Sequence, residues 1–280
     1  MGEPKISVII PTNRPGGLEH AKASLPGQTF KDFEVLVGSP FDPGFGKWVV
    51  DDFKGGFWSL GRIYNRLFAE AKGELIVTLQ DFIWVRPDGL ARFWDVYERT
   101  KGLITGVGNQ YQQVGLDGSH GKPCWVDYRR DLLWTCGPRV ILDTLERQFV
   151  VDNPQIRGLL RPFRHEWNWA AMPKDAIIGV GGMDEEMDFL GFSCDNVSAI
   201  ERMFAKGHLF FIDYGNEVYC QSHGRVPGWE EHHTRYGLYD LRKQELQDLG
   251  NWPVLTSRSR LPSVHRPNAD VITGENHATA

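Results

Sequence analysis

Ile6-Ser7-Val8-Ile9-Ile10-Pro11-Thr12-Asn13-Arg14 is the stretch on which the reading of this chain turns. A nearly continuous β-branched run closed by a proline suits a strand buried on both faces of a parallel sheet. Working outward, the turn runs on through Pro15-Gly16-Gly17 into a short helix at 18–25. Residues 33–37 predict a second strand, ended by Gly38-Ser39-Pro40, and Trp48-Val49-Val50 a third, short one. The spacing of Ile63, Leu67, Phe68 and Ala71 puts them on one face of a helix over 59–71, which Gly73 stops. Residues 75–79 are again a buried strand, and Pro87-Asp88 opens a helix carrying Leu90, Phe93, Trp94 and Tyr97. Strand and helix alternate through the first hundred residues, the pattern of a parallel α/β sheet.

Beyond residue 100 the pattern loosens. Strands are predicted at 103–107, 167–172, 209–212 and 217–219, with a polar, Gly-rich loop at 108–123. Pro173-Lys174-Asp175 opens a short helix. Val197, Ile200, Met203 and Phe204 mark a longer one that ends at Gly207, and 238–249 is a charged amphipathic helix. After Pro253 the composition is that of a loosely held polar tail.

The 280 residues are 41% hydrophobic, enough for the core of one large domain or of a domain with a smaller lobe. Acidic residues outnumber basic ones, 36 against 31. That balance argues against a general nucleic-acid surface, and the clusters at Arg129-Arg130 and 157–164 read as solvated faces. No stretch approaches the roughly 18 apolar residues of a membrane span, so a cytoplasmic chain without integral membrane contact is expected. Cys124, Cys136, Cys194 and Cys220 form no C-x-x-C pair, which predicts reduced, mostly buried thiols. Neither a P-loop nor a G-x-G-x-x-G turn is present. Trp58, Trp125, Trp167, Trp169 and Trp229 lie in polar settings, where an exposed ring would suit stacking on a sugar.

Four pieces, in order, carry a family resemblance. They are Ile6-Ser7-Val8-Ile9-Ile10-Pro11-Thr12; Gly61-Arg62-Ile63-Tyr64-Asn65 with Ala71-Lys72-Gly73-Glu74; Leu79-Gln80-Asp81; and Gly181-Gly182-Met183-Asp184-Glu185 with Cys194-Asp195 and Glu201-Arg202. Over residues 5–225 this resembles the family 2 glycosyltransferases. The resemblance implies an α/β GT-A fold with a mixed sheet. Residues 1–100 would form its Rossmann-like nucleotide-binding half and 101–225 its acceptor half, with a C-terminal helix and polar tail at 226–280. It implies an inverting, hexosyltransferase-like enzyme. The donor would be a nucleoside-diphosphate sugar, a UDP-sugar favoured, and a divalent cation, Mn²⁺ or Mg²⁺, would assist.

Site residues follow from the same resemblance. Asp81 stands at a strand end, where carboxylate oxygens suit a hard cation bridging a diphosphate. The family has an Asp cluster there, whereas Gln80-Asp81-Phe82 keeps one carboxylate. His223 is the candidate second metal ligand. Pro11, Thr12, Arg14, Arg62, Asn65, Gln80 and Asp81 are the expected contacts of the sugar nucleotide. Gly182, Asp184, Glu185 and Trp167 are those of the donor and acceptor sugars. Asp195 is the candidate general base, in a position where an Asp also serves as a helix N-cap. The acceptor is open, a saccharide first and a modified nucleic acid also possible. A non-catalytic sugar-nucleotide or glycan binder with a degraded metal motif is the alternative. A nucleotidyltransferase fits worse, because the first turn lacks a Gly-rich loop.

Overall fold

The computed structural model describes residues 2–52, 59–127, 156–159, 165–190, 195–223 and 236–255. Strand β1 (Ile6–Pro11) is buried at every position. It runs parallel to β2 (Phe33–Ser39) on one side and to β4 (Leu75–Leu79) on the other. β3 (Lys47–Val50) pairs parallel with β2. Strand alternation sends Ile6, Val8 and Ile10 into one core and Ile9 into another. The first core is covered by α1 (Glu19–Ser24) and α3 (Gly89–Thr100), through Ala21, Leu90, Phe93 and Val96. The second is covered by α2 (Leu60–Glu70), where the predicted face of Ile63, Leu67 and Phe68, with Ala71 just past the helix, is joined by Tyr64. Each of those side chains contributes about 1.5–3 kcal/mol by leaving water.

The sheet then changes sense. β9 (Trp169–Pro173) is antiparallel to both β4 and β6 (Leu103–Tyr111). β10 (Phe210–Gln221) is parallel to β6 and antiparallel to β5 (Ile83–Val85). β7 (Pro123–Trp125) and β8 (Ile156–Leu159) pair with β6 and β10. Helices α4 (Lys174–Gly179), α5 (Met187–Leu190), α6 (Asp195–Ala205) and α7 (Tyr236–Asp248) follow in order. The result is one mixed sheet running from the parallel first half, β1 to β4, into the second half.

Several expectations need correcting. The segments 209–212 and 217–219 are one strand, β10, with a pairing irregularity between Ile212 and Glu217. The polar stretch between them is held inside. Arg92 donates to Asp213 at 2.8 and 2.5 Å, while Asn216 accepts from Trp169 Nε1 and donates to Gly89 O. Part of the loop predicted at 108–123 is the end of β6. Cys124 is exposed rather than buried, while Cys136 and Cys194 lie outside the described residues. So do Trp58, Trp229 and Arg129-Arg130. No helix among the described residues is long and apolar enough to cross a membrane.

Candidate active site

Sheet topology decides where side chains can meet. β9 opposes both β4 and β6, so β6 and β10 point the same way as β1, β2, β3 and β4. The residues that follow Pro11, Ser39, Val50, Leu79, Tyr111 and Gln221 therefore all emerge along one edge. Such an edge is where open α/β sheets bind ligands.

Thr12, Arg14, Asp81 and His223 converge there. The Thr12 hydroxyl donates to Asp81 Oδ2 at 2.8 Å. Arg14 grips the same carboxylate with two bonds, Nε to Oδ2 at 2.9 Å and Nη2 to Oδ1 at 2.5 Å. Its third nitrogen, Nη1, lies 3.1 Å from His223 Nδ1. The Phe82 ring covers one face of the guanidinium, 4.8 Å from Cζ to centroid, and packs against the His223 ring at 4.9 Å.

Two backbone features bring this cluster together. A Cβ on Gly17 would sit 2.6 Å from Asp81 Cβ, so glycine is what lets the first turn approach Asp81. Phe82 then donates its N–H to Gly17 O at 2.7 Å and adopts φ +59°, a left-handed conformation unfavourable for an aromatic residue. Strain of that kind persists where surrounding contacts impose it. Pro11 ends β1, and Thr12 N–H continues the pairing to Gly38 O. Gln80 is exposed beside Asp81.

A second cluster is built on α2. Asn65 donates to Met183 O at 3.0 Å and to Glu185 Oε1 at 2.9 Å, and accepts from Met183 N–H at 2.7 Å. Gly182 has φ +75°, and a Cβ there would strike Asn65 Oδ1. The wholly buried Arg202 donates to Val180 O and Gly182 O, both at 2.6 Å. Asp184 is 5% exposed and gripped by Arg242 of α7, at 2.9 and 3.2 Å. Burial lowers the pKa of Arg242, but Asp184 and Glu245 raise it above the usual value on balance. Asp188 of α5 caps α2, accepting from Ser59 Oγ at 2.5 Å and from the N–H of Gly61 at 2.8 Å. Burial pushes its pKa up to about 6, against the pull of those donors.

Arg62, Trp167 and Asp195 are the remaining expected residues. Arg62 is paired with Asp52 at 2.6 Å. Trp167 is 2% exposed, edge-on to Tyr64 and Phe68 in the core. Asp195 is the first residue of α6. Sequence reading did not single out Asp51, Phe82, Asp188 or Arg242. Asp51 follows β3 on the shared edge and is 7% exposed. The short β-branched run ending just before it was the available signal.

The expected cation does not fit these residues as they stand. Asp81 spends both oxygens on Arg14 and Thr12, and the guanidinium lies between its carboxylate and His223. Among the described residues no group of three His, Cys, Asp or Glu side chains is placed to hold a metal.

No protein-family model matches the chain, and no curated protein matches it. Among solved structures 220 chains do. One is the crystal structure of S. aureus TarS 1-349 in complex with UDP, with a TM-score of 0.53 and 14% identity. The likeness covers 78% of this chain and spans 60% of that one. At such low identity it is a likeness of fold alone, and it agrees with the mixed sheet and Rossmann-like half of a GT-A architecture.

Proposed function

We propose that the protein is an inverting glycosyltransferase acting in the cytoplasm. It takes a sugar from a nucleoside-diphosphate sugar, UDP-linked in the favoured reading, and places it on an acceptor hydroxyl, most simply that of a saccharide. The observation that carries this reading is the meeting of Thr12, Arg14, Asp81 and His223 on the strand-exit edge of a GT-A sheet. The structural neighbour in complex with UDP supports it.

In this reading the first turn, Pro11 to Arg14, borders the nucleotide, and Gln80 and Asp81 face the diphosphate. Arg62 and Asn65 lie on the helix that starts from the same edge. Gly182 and Glu185 line the donor sugar on a turn held by Asn65 and Arg202. Asp184 serves that turn by anchoring it to α7. Asp195, at the head of α6, takes the proton from the acceptor hydroxyl as its oxygen attacks C1. The bond from C1 to the diphosphate oxygen breaks in line, which inverts the anomeric centre. Asp81 acts here through Arg14, which its carboxylate holds by two bonds.

The test is a panel of sugar nucleotides offered with mono- and oligosaccharide acceptors. Transfer with inverted product stereochemistry is expected from at least one donor. Asp195→Asn should lower kcat by about 10²–10⁴-fold, the worth of a general base, and leave UDP affinity unchanged. Full activity in Asp195→Asn would overturn the role of that residue. Tight sugar-nucleotide binding without transfer to any acceptor would favour the non-catalytic binder, a reading supported by the single carboxylate at 80–82.

A further inference from the structure

We propose that Arg14 is the built-in cation of the diphosphate site, so that nucleotide binding and sugar transfer proceed without a divalent metal. The inference rests on the sugar-nucleotide reading above. It starts from the way Arg14 is held. An ordinary surface arginine swings freely, but this one is fixed on three sides. Asp81, its carboxylate side chain 6% exposed, takes Nε and Nη2 in a bidentate grip, His223 meets Nη1, and Phe82 covers one face of the plane. Asp81 is itself fixed by Thr12 and by the close approach of Gly17.

The Arg14 side chain remains 39% exposed, so the guanidinium is held from behind and open in front. Among the described residues three of its five N–H groups are engaged. The other two, one on each terminal nitrogen, are available to a pair of phosphate oxygens. Arginine meets phosphate in that bidentate way. A strand-exit edge of a parallel α/β sheet is a place where nucleotides bind.

A divalent ion competes poorly for the same place. It would have to displace a two-bond charged grip from Asp81 and the Thr12 hydroxyl with it. Among the described residues it would gain two protein ligands, Asp81 and His223, where hard cations take six or more ligands in all. Arg14 therefore supplies the positive charge at the point where the leaving diphosphate gathers negative charge. Asp81 acts as a positioning residue that orients the guanidinium.

The experiment measures binding of UDP, GDP and uridine by calorimetry, in EDTA and again in excess Mn²⁺. It uses the wild type, Arg14→Ala, Arg14→Lys and the double variant Arg14→Ala with Asp81→Asn. The double variant leaves no buried carboxylate unpaired, so it stays interpretable if Arg14→Ala unfolds, and circular dichroism checks the fold of each. Wild type should bind a nucleoside diphosphate in EDTA, with Mn²⁺ adding little. Loss of a charge-assisted bidentate pair should weaken diphosphate binding by about tenfold or more in both alanine variants. Uridine binding, without phosphates, should be unchanged, and Mn²⁺ should not rescue the variants. Arg14→Lys should restore part of the loss, as a point charge without the fork. Diphosphate binding that appears only with Mn²⁺, or that survives loss of Arg14, would overturn the proposal while leaving the sugar-nucleotide reading intact. If wild type binds no nucleotide under either condition, that reading falls and the built-in cation falls with it.

Discussion

Asp188 shows how much one side chain can be asked to do. It leaves α5 to cap the first turn of α2, taking the Ser59 hydroxyl and the N–H groups of Gly61 and Arg62. Charge at a helix N-terminus is favourable. Burial is the larger influence, however, and it moves the carboxyl from the ordinary 3.8 to about 6. A raised acid pKa means the folded state holds the proton more tightly than the unfolded chain. Stability from this group is thus fully present below about pH 4 and is lost as pH rises through about 6. The shift corresponds to about 3 kcal/mol across that window. Asp188→Asn removes the charge and retains most of the shape, at about 1 kcal/mol for an imperfect cap. Its melting temperature, measured against wild type from pH 4 to 8, should start equal or slightly lower, overtake wild type near pH 5 and keep a constant lead above about pH 6. A difference that stays flat with pH would show that the carboxyl titrates normally.

At the scale of elements, α7 is the clearest case of a piece that sequence places but does not connect. Its charged, amphipathic pattern gives a helix at nearly the observed bounds. Nothing local reveals that Arg242 reaches Asp184, 58 residues away, or that Leu246 is 1% exposed. The same limit applies to the site. Strand exits are legible one at a time, so Thr12, Arg14, Asp81 and His223 each stood out. The Arg14–His223 contact spans 209 residues, and only the folded sheet creates it. Three-residue strands such as β5 and β7 are too short to show a period. Trp167 misleads because its neighbours Glu166 and Asn168 are polar while the ring itself points into the core. The Arg242–Asp184 pair also makes a sharp prediction. Both side chains are about as buried as the core, at 5% and 4% exposed. Removing one partner strands the other charge, so Arg242→Ala should cost about 3–5 kcal/mol in chemical denaturation. Replacing both, as Arg242→Met with Asp184→Leu, should return most of that. If the double replacement is no better than the single one, the pair is not what seats α7.

Across the whole molecule, β9 is the element that makes two halves into one body. It pairs with β4 of the parallel half and with β6 of the second. The site draws residues from both sides of that seam, Thr12 and Asp81 from one and His223 from the other. A ligand seated on Thr12, Asp81 and His223 would bridge both sides of that seam. It should therefore stabilise a single cooperative transition, not the earlier of two. A ligand that binds only the folded state adds about 2.7 kcal/mol when present at a hundred times its Kd. For a chain of this size that is an upward shift of roughly 5 °C. Calorimetric scans with increasing UDP should show one peak moving upward and keeping its shape. Splitting into two peaks, with only one moving, would mean that β9 does not couple the halves. The strand-exit edge would then have to be described as belonging to the first half alone, with His223 a bystander.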